Sequence, residues 1–286
     1  MGTIAQTHLG SLVALVVIGA GVLHACWNAI AKHVEDRLIA FALIGVVLTA
    51  GGGATLALTG LPSRACLAFA IVSTVLRLVY DAALMNCYRL GSFNQVYPIA
   101  RGTSPLVVAL GAYLFVGERL AGLELCGVTI LAGGLMSLAL SSGRIARADL
   151  PAVGAAILTG LTIASYSLVD GIGVRHAHNP LAYAALLFVL EGPVFPVVAL
   201  VRRPPAAWAT PRVLGTGLTA GALTFLAYGA VLWAQSRAPL AEVAALRETS
   251  VITAALIGTF VLRERFGARR VASAVLVAAG ILLISR

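Results

Sequence analysis

Apolar stretches, most of them about 20 residues long and so able to cross the hydrocarbon core of a bilayer, follow one another through this 286-residue chain. Short breaks of Gly, Pro or charge separate them. They predict spans at Leu12 to Ala31, Leu38 to Leu58, Cys66 to Cys87, Phe93 to Val116 and Leu120 to Leu140. After a polar link from Ser141 to Asp149, further spans follow at Pro151 to Gly171, Leu181 to Val201, Val213 to Gln235, Leu240 to Leu262 and Val271 to Ile284. The backbone of a lipid-immersed segment must satisfy its own hydrogen bonds, so each span is expected to be helical.

Composition agrees. The chain is 60% hydrophobic and 11% charged, with a mean hydropathy of +0.97. A water-soluble domain carries roughly 25% charged residues and could not hide this much apolar surface. The net charge is +9. Its Lys and Arg residues stand singly or in pairs at the ends of apolar runs, which suits loops at an anionic membrane surface and not a nucleic-acid footprint. Cys26, Cys66, Cys87 and Cys126 form no CxxC pair and read as packing residues. No Lys or Arg precedes the first apolar run, which is read as a retained span and not as a cleaved signal.

The chain repeats itself. Arg101-Gly102-Thr103-Ser104 recurs 146 positions later as Arg247-Glu248-Thr249-Ser250. At the same offset Gly117-Glu118-Arg119-Leu120 becomes Arg263-Glu264-Arg265-Phe266, and Gly134 becomes Gly280. Spans four and five therefore match spans nine and ten. The expected architecture is all-α: ten transmembrane helices in two five-helix repeats, residues 1–141 and 150–286, around a central cavity. An odd number of spans per repeat inverts one relative to the other, a mark of secondary transporters.

Ionisable groups inside spans are costly and commonly face a cavity or a partner. Arg77 and Asp81 share a helix face and form either a locking ion pair or a substrate or proton site. Tyr97 and Arg101 lie one turn apart at the Pro98 kink. Arg101 suits a carboxylate or phosphate, or else binds carbonyls freed by the kink or an acid. Its mate Arg247 stands beside Glu248, and each of these two is expected to pair with another helix. His24, Asn28 and Lys32 make a polar stripe on span one. Asp170 reads as a solvated cap at the end of span six. Mid-span Glu191, with Asp81 and His24, is a candidate for proton coupling. Tyr80, Tyr88, Tyr97, Tyr113, Tyr166, Tyr183, Tyr228 and Trp233 are available to line a cavity, although most intramembrane aromatics pack or anchor. No Walker loop, zinc motif or nucleophile elbow is present, so no metal, cofactor or enzyme activity is expected.

The run from His24 to Lys32, the Tyr97-Pro98-Ile99-Ala100 opening of span four, Gly117-Glu118-Arg119-Leu120 and the repeated Arg263-Glu264-Arg265 resemble the EamA-type branch of the drug/metabolite transporter superfamily. The Gly-rich spans five and ten are similar to it as well. The resemblance implies alternating access and transport of amino acids, other metabolites, nucleotide sugars or phosphorylated sugars. It also implies a bacterial inner-membrane location. Cavity positions implied by the resemblance are Trp27, Tyr80, Tyr97, Arg101, Tyr166, Trp233 and Arg247, with Asn28 added from the polar stripe. The leading expectation is export of amino acids, including aromatic and other neutral ones. Alternatives are a carrier of phosphorylated or phosphonate-like anions and a membrane-embedded non-transport protein. The partners expected are a small-molecule substrate and the bilayer, with the protein a monomer or weak homo-oligomer. Basic residues concentrate on one set of loops, which places both termini outside, whereas many relatives are expected to have them inside.

Overall fold

A computed structural model describes residues 2–32, 36–91, 93–140, 149–204, 208, 210–260 and 268–284. The described residues are helical throughout, without strands. The helices are α1 (Gly2–Lys32), α2 (Arg37–Thr59), α3 (Leu67–Leu90), α4 (Phe93–Gly111), α5 (Gly122–Leu140) and α6 (Leu150–His176). They continue with α7 (Pro180–Glu191), α8 (Val194–Arg202), α9 (Pro211–Gln235), α10 (Leu240–Leu246), α11 (Thr249–Phe260) and α12 (Ala268–Ile284). A 3₁₀ turn, Arg64–Cys66, leads into α3, and a π turn, Ala112–Val116, continues α4.

Seven segments among the described residues are long and apolar enough to cross a membrane: Gly10–Asn28, Arg37–Thr59, Arg64–Leu84, Val96–Val116, Leu150–His176, Pro180–Arg202 and Pro211–Gln235. Gly122–Leu138 and Val271–Ile284 are shorter apolar helices. The expected ninth span is divided into α10 and α11 at Arg247 and Glu248, and the seventh is interrupted at Gly192-Pro193. The sixth runs past its expected end at Gly171 to His176. The link at 141–148 and the repeat residues Arg263, Glu264 and Arg265 lie outside the described residues.

The outer surfaces are apolar. Leu15 (67% exposed), Leu58 (89%), Phe115 (76%) and Val201 (83%) stand outward on α1, α2, the π turn and α8. In water each would forfeit roughly 1.5–3 kcal/mol of available burial, whereas lipid tails solvate them.

The chain forms two compact units. The first comprises Met1–Thr74 and Asp170–Arg237, the second Val75–Val169 and Ala238–Arg286. In the first unit α1 packs on α9, and α2 packs on α7, α8 and α9. Its turns are capped by side chains: Asp36 accepts from the amides of Leu38 (3.0 Å) and Ile39 (3.4 Å) at the start of α2. Asn179 accepts from Leu181 N (2.9 Å) at the start of α7, where Pro180 needs no partner for an amide.

In the second unit α12 packs along α5, and α4 packs on α5 and α10. The α5–α12 seam is a close backbone approach. A Cβ on Gly127 would lie 2.8 Å from the Gly280 carbonyl, and one on Gly280 would lie 2.6 Å from the Gly127 carbonyl. The contacts come in matched pairs: Gly134 abuts Val277, and Gly280 abuts Leu131, each 146 positions from its counterpart. Ser137 and Ser273 share a 2.8 Å hydrogen bond across the same seam. Small residues let two helices meet this closely in lipid, where dispersion contacts and hydrogen bonds replace the hydrophobic effect.

Candidate functional site

The second unit concentrates buried charge. Its buried charged groups among the described residues are Arg77, Asp81, Arg101, Arg247 and Glu248. Three are arginines and two are carboxylates, so one positive charge is in excess when all are ionised.

Arg101, 4% exposed, projects from α4. Its Nε donates to Glu248 Oε2 at 2.9 Å, and its Nη2 donates to Ser250 Oγ at 2.9 Å and to the Arg247 carbonyl at 3.3 Å. Those acceptors belong to the break between α10 and α11. There the backbone tightens into i to i+3 bonds: Glu248 N donates to Ala245 O, Ser250 N to Arg247 O, and Val251 N to Glu248 O. Tightening strips carbonyls of their α-helical donors. Thr249 Oγ1 supplies one to Leu246 O (2.9 Å), and Arg101 supplies one to Arg247 O. Of the partners read from the sequence for Arg101, the structure supplies the acid; the carbonyl it meets is that of Arg247 and not one at the Pro98 kink. Tyr97, one turn earlier, hydrogen-bonds Ser250 as well.

Arg247, 7% exposed, donates to Ser167 Oγ on α6 at 3.4 Å. Neighbouring Glu248 turns instead to α4, so the two adjacent charges serve different helices, as expected from their i, i+1 placement. Beside Ser167, Tyr166 packs edge-on against Tyr80 with ring centroids 5.6 Å apart. The Arg77 guanidinium lies over the Tyr166 ring, 5.2 Å from its centroid. Asp81 is buried on α3, one turn from Arg77. Five positions expected to line a cavity (Tyr80, Tyr97, Arg101, Tyr166 and Arg247) thus fall in one unit.

The other candidates belong to the first unit. Trp27 Nε1 donates to His24 Nδ1 at 3.2 Å, with the rings edge-on. An indole N–H only donates, so Nδ1 of His24 is the acceptor. Asn28 Nδ2 returns to the His24 carbonyl (2.8 Å), so this stripe is knitted along its own helix. Trp233 is half-buried, with the Arg237 guanidinium 4.4 Å above its ring. Glu191 closes α7 and is buried.

Tyr113 is 53% exposed on the outward side of the π turn. Two expectations are corrected. Cys126, read as packing, is also exposed. The larger correction concerns Asp170, which is not a solvated cap: it is fully buried within α6. Tyr183 Oη donates to its Oδ1 at 3.2 Å, and Tyr228 Oη donates to its Oδ2. The Gly171-Ile172-Gly173 stretch suggested an end to the span, but helices in lipid tolerate glycine because no water competes for their backbone. About one and a half turns of helix therefore continue past the expected stop.

A solved structure, described only as the crystal structure of a protein, superposes with a TM-score of 0.72 at 15% identity, covering 96% of each chain. That likeness shows a shared fold. None of the curated proteins matches the chain in sequence. Residues 150–286 match the family model described as the EamA-like transporter family. The apolar helices and this match indicate a multi-pass membrane transporter of the drug/metabolite type, with the likeness to the EamA-like transporter family carried by residues 150–286.

Proposed function

We propose that the chain is a secondary transporter that exports small metabolites, foremost amino acids, across a bacterial inner membrane by alternating access. The observation that carries this reading is Arg247: a buried guanidinium in a broken helix, donating to a serine hydroxyl, beside the Tyr80–Tyr166 pair. A guanidinium suits a carboxylate, and aromatic faces suit the apolar remainder of a neutral or aromatic amino acid. Broken intramembrane helices are where transporters of this general kind place polar ligands. On this reading Tyr97 joins Arg247 in the substrate site of the second unit, with Arg101 shaping the broken helix through Glu248; Trp27, Asn28 and Trp233 of the first unit are proposed as substrate contacts on the resemblance alone.

Ten spans in two inverted repeats form the architecture of this proposal. Its support is the shared offset of 146: the contacts between α5 and α12 occur in pairs related by it. The carrier of phosphorylated anions is the second reading. It needs both Arg101 and Arg247 to face one dianion, and the 2.9 Å pairing of Arg101 with Glu248 favours a single carboxylate instead.

Purified protein in liposomes, offered labelled neutral and aromatic amino acids, tests the proposal. Saturable flux above empty vesicles, inhibited by unlabelled amino acids and not by phosphate esters, is the expected result. Inhibition by phosphate esters alone would transfer the assignment to the second reading.

A further inference from the structure

We propose that Asp170, hydrogen-bonded by Tyr183 and Tyr228, is the proton-carrying carboxylate of the transport cycle; this rests on the transport reading above. The site lies wholly in the first unit. Asp170 and Tyr183 are fully buried, and Tyr228 is 8% exposed. The three come from three helices: α6, α7 and α9.

The site is built, not incidental. Both carboxylate oxygens accept from a phenol, one each. Gly173, one turn after Asp170, leaves the space that the Tyr183 hydroxyl occupies, since a Cβ there would collide with it and with the ring. On α3, Phe69 packs on Gly173 and stacks on His176 (centroids 5.4 Å apart), and Ser63 Oγ donates to His176 O at 2.7 Å. Residue numbers rise along α3 as they fall along α6, so Ser73, one turn past Phe69, reaches the level of Asp170. Its Oγ is fully buried and has no hydrogen-bond partner. A buried hydroxyl without a partner is a vacancy for an additional donor or acceptor.

The depth is also suitable. Asp170 lies six residues before the end of α6 and Tyr228 seven before the end of α9, about 9–11 Å from those ends at about 1.5 Å per residue. Tyr183 stands three residues into α7, nearer the membrane face. At that face Arg175 Nε donates to Gln235 O at 3.0 Å and closes α6 onto α9. Among the described residues, the titratable groups on the packed elements include Tyr183 and Glu191 on α7, Tyr228 and Arg212 on α9, Tyr166, Arg175 and His176 on α6, Arg37 on α2, which packs on α7 and α9, and His24 on α1, which packs along α9. On α3, Arg77 follows Ser73 by one turn on the same face.

The chemistry is a proton transfer with no change of oxidation state. A proton from water forms an O–H bond at one Asp170 oxygen and is later returned to water. An ionised carboxylate only accepts, so it ties both phenols. Once protonated it donates through that oxygen, and the phenol bonded there must rotate away or accept. Protonation therefore loosens the tie joining α6 to α7 or to α9, which couples charge to helix position.

The test uses full-length protein in liposomes with an entrapped pH-sensitive dye and labelled amino acids as probes. In the wild type, amino-acid flux is expected to move protons. Asp170→Asn is expected to lose proton movement to the level of empty vesicles while retaining tracer exchange at equal pH. Asp170→Glu is expected to restore it. Tracer flux without proton movement in the wild type, or undiminished proton movement in Asp170→Asn, overturns the inference while leaving the transport reading intact. If no amino acid is transported, the export reading fails, and infrared titration of the purified protein decides this inference separately. A protonated-carboxyl band that changes with pH in the wild type and is absent in Asp170→Asn supports it; its absence from the wild type overturns it. Tyr228→Phe, which keeps the ring, is expected to shift the midpoint of that band, and an unmoved midpoint counts against the tyrosine tie.

Discussion

Arg101 and Arg247 occupy equivalent places in the repeat, yet their surroundings differ. Arg101 sits in α4, which stays continuous although Pro98 and Pro105 lie within it. Arg247 sits where α10 gives way to α11, in a stretch with no proline between Leu240 and Phe260. Arg101 meets the carboxylate of Glu248. The residue equivalent to Glu248 at the offset of 146 is Gly102, which supplies no carboxylate to Arg247. In this pair of helices proline does not locate the break. The break lies where charged side chains and freed carbonyls satisfy one another, and one substitution, Glu for Gly, makes the two halves electrostatically unlike.

The difference is open to attack at several strengths. Glu248→Gln leaves a buried guanidinium without its carboxylate and is expected to cost roughly 3–5 kcal/mol, read as a lower unfolding midpoint in detergent. The double variant Arg101→Met, Glu248→Leu is expected to recover most of that loss; no recovery would mean that the broken helix depends on Arg101 for more than charge balance. Arg247→Ala is expected to reduce amino-acid flux at least tenfold, equivalent to about 1.4 kcal/mol, with a smaller effect on unfolding than Glu248→Gln. If both arginines affected stability and flux alike, the asymmetry would carry no functional meaning. Gly280→Val crowds the Leu131 backbone and the Gly127 carbonyl and is expected to cost about 1–3 kcal/mol, checked in the same assay.

The smallest effect supplies the control. Arg203 and Asp36 form an ion pair at the membrane face with side chains 39% and 32% exposed. Burial alone would raise the Asp36 carboxyl. The Arg203 guanidinium and the amides of Ile39 and Leu38 outweigh it and hold the group below its ordinary 3.8. A lowered folded value stabilises the fold above the unfolded value, and that contribution is lost as pH falls through the folded one. Asp36→Asn is therefore expected to cost only about 0.2–1 kcal/mol near neutrality, with wild type and variant converging below about pH 4. A loss as large as that of Glu248→Gln would undo the contrast between buried and exposed pairs.

Much of this was legible in the chain because lipid imposes simple rules. The spans follow from apolar length, and the offset of 146 relates the Gly134 and Gly280 contacts of the α5–α12 seam. Arg101 was read with an acid or a carbonyl as partner, but nothing local identifies Glu248, which is 147 residues away. Asp170 was misread because glycine marks helix ends in water more reliably than in a membrane. The division at Arg247 and Glu248 carries no breaker residue, so a hydropathy reading joins α10 to α11.

The π turn at the end of α4 has a further consequence. Gly117, left-handed at φ 75°, stops it, and Tyr113, Leu114 and Phe115 stand outward in succession, 53%, 61% and 76% exposed. Three consecutive outward side chains present about half of the helix circumference to acyl chains, while Ala112 and Val116 face protein. The resting depth of this end of the segment is then set by the thickness of the surrounding membrane, at a fraction of a kcal/mol for each ångström of mismatch. The turn makes lipid chain length a variable acting on the helix that carries Arg101.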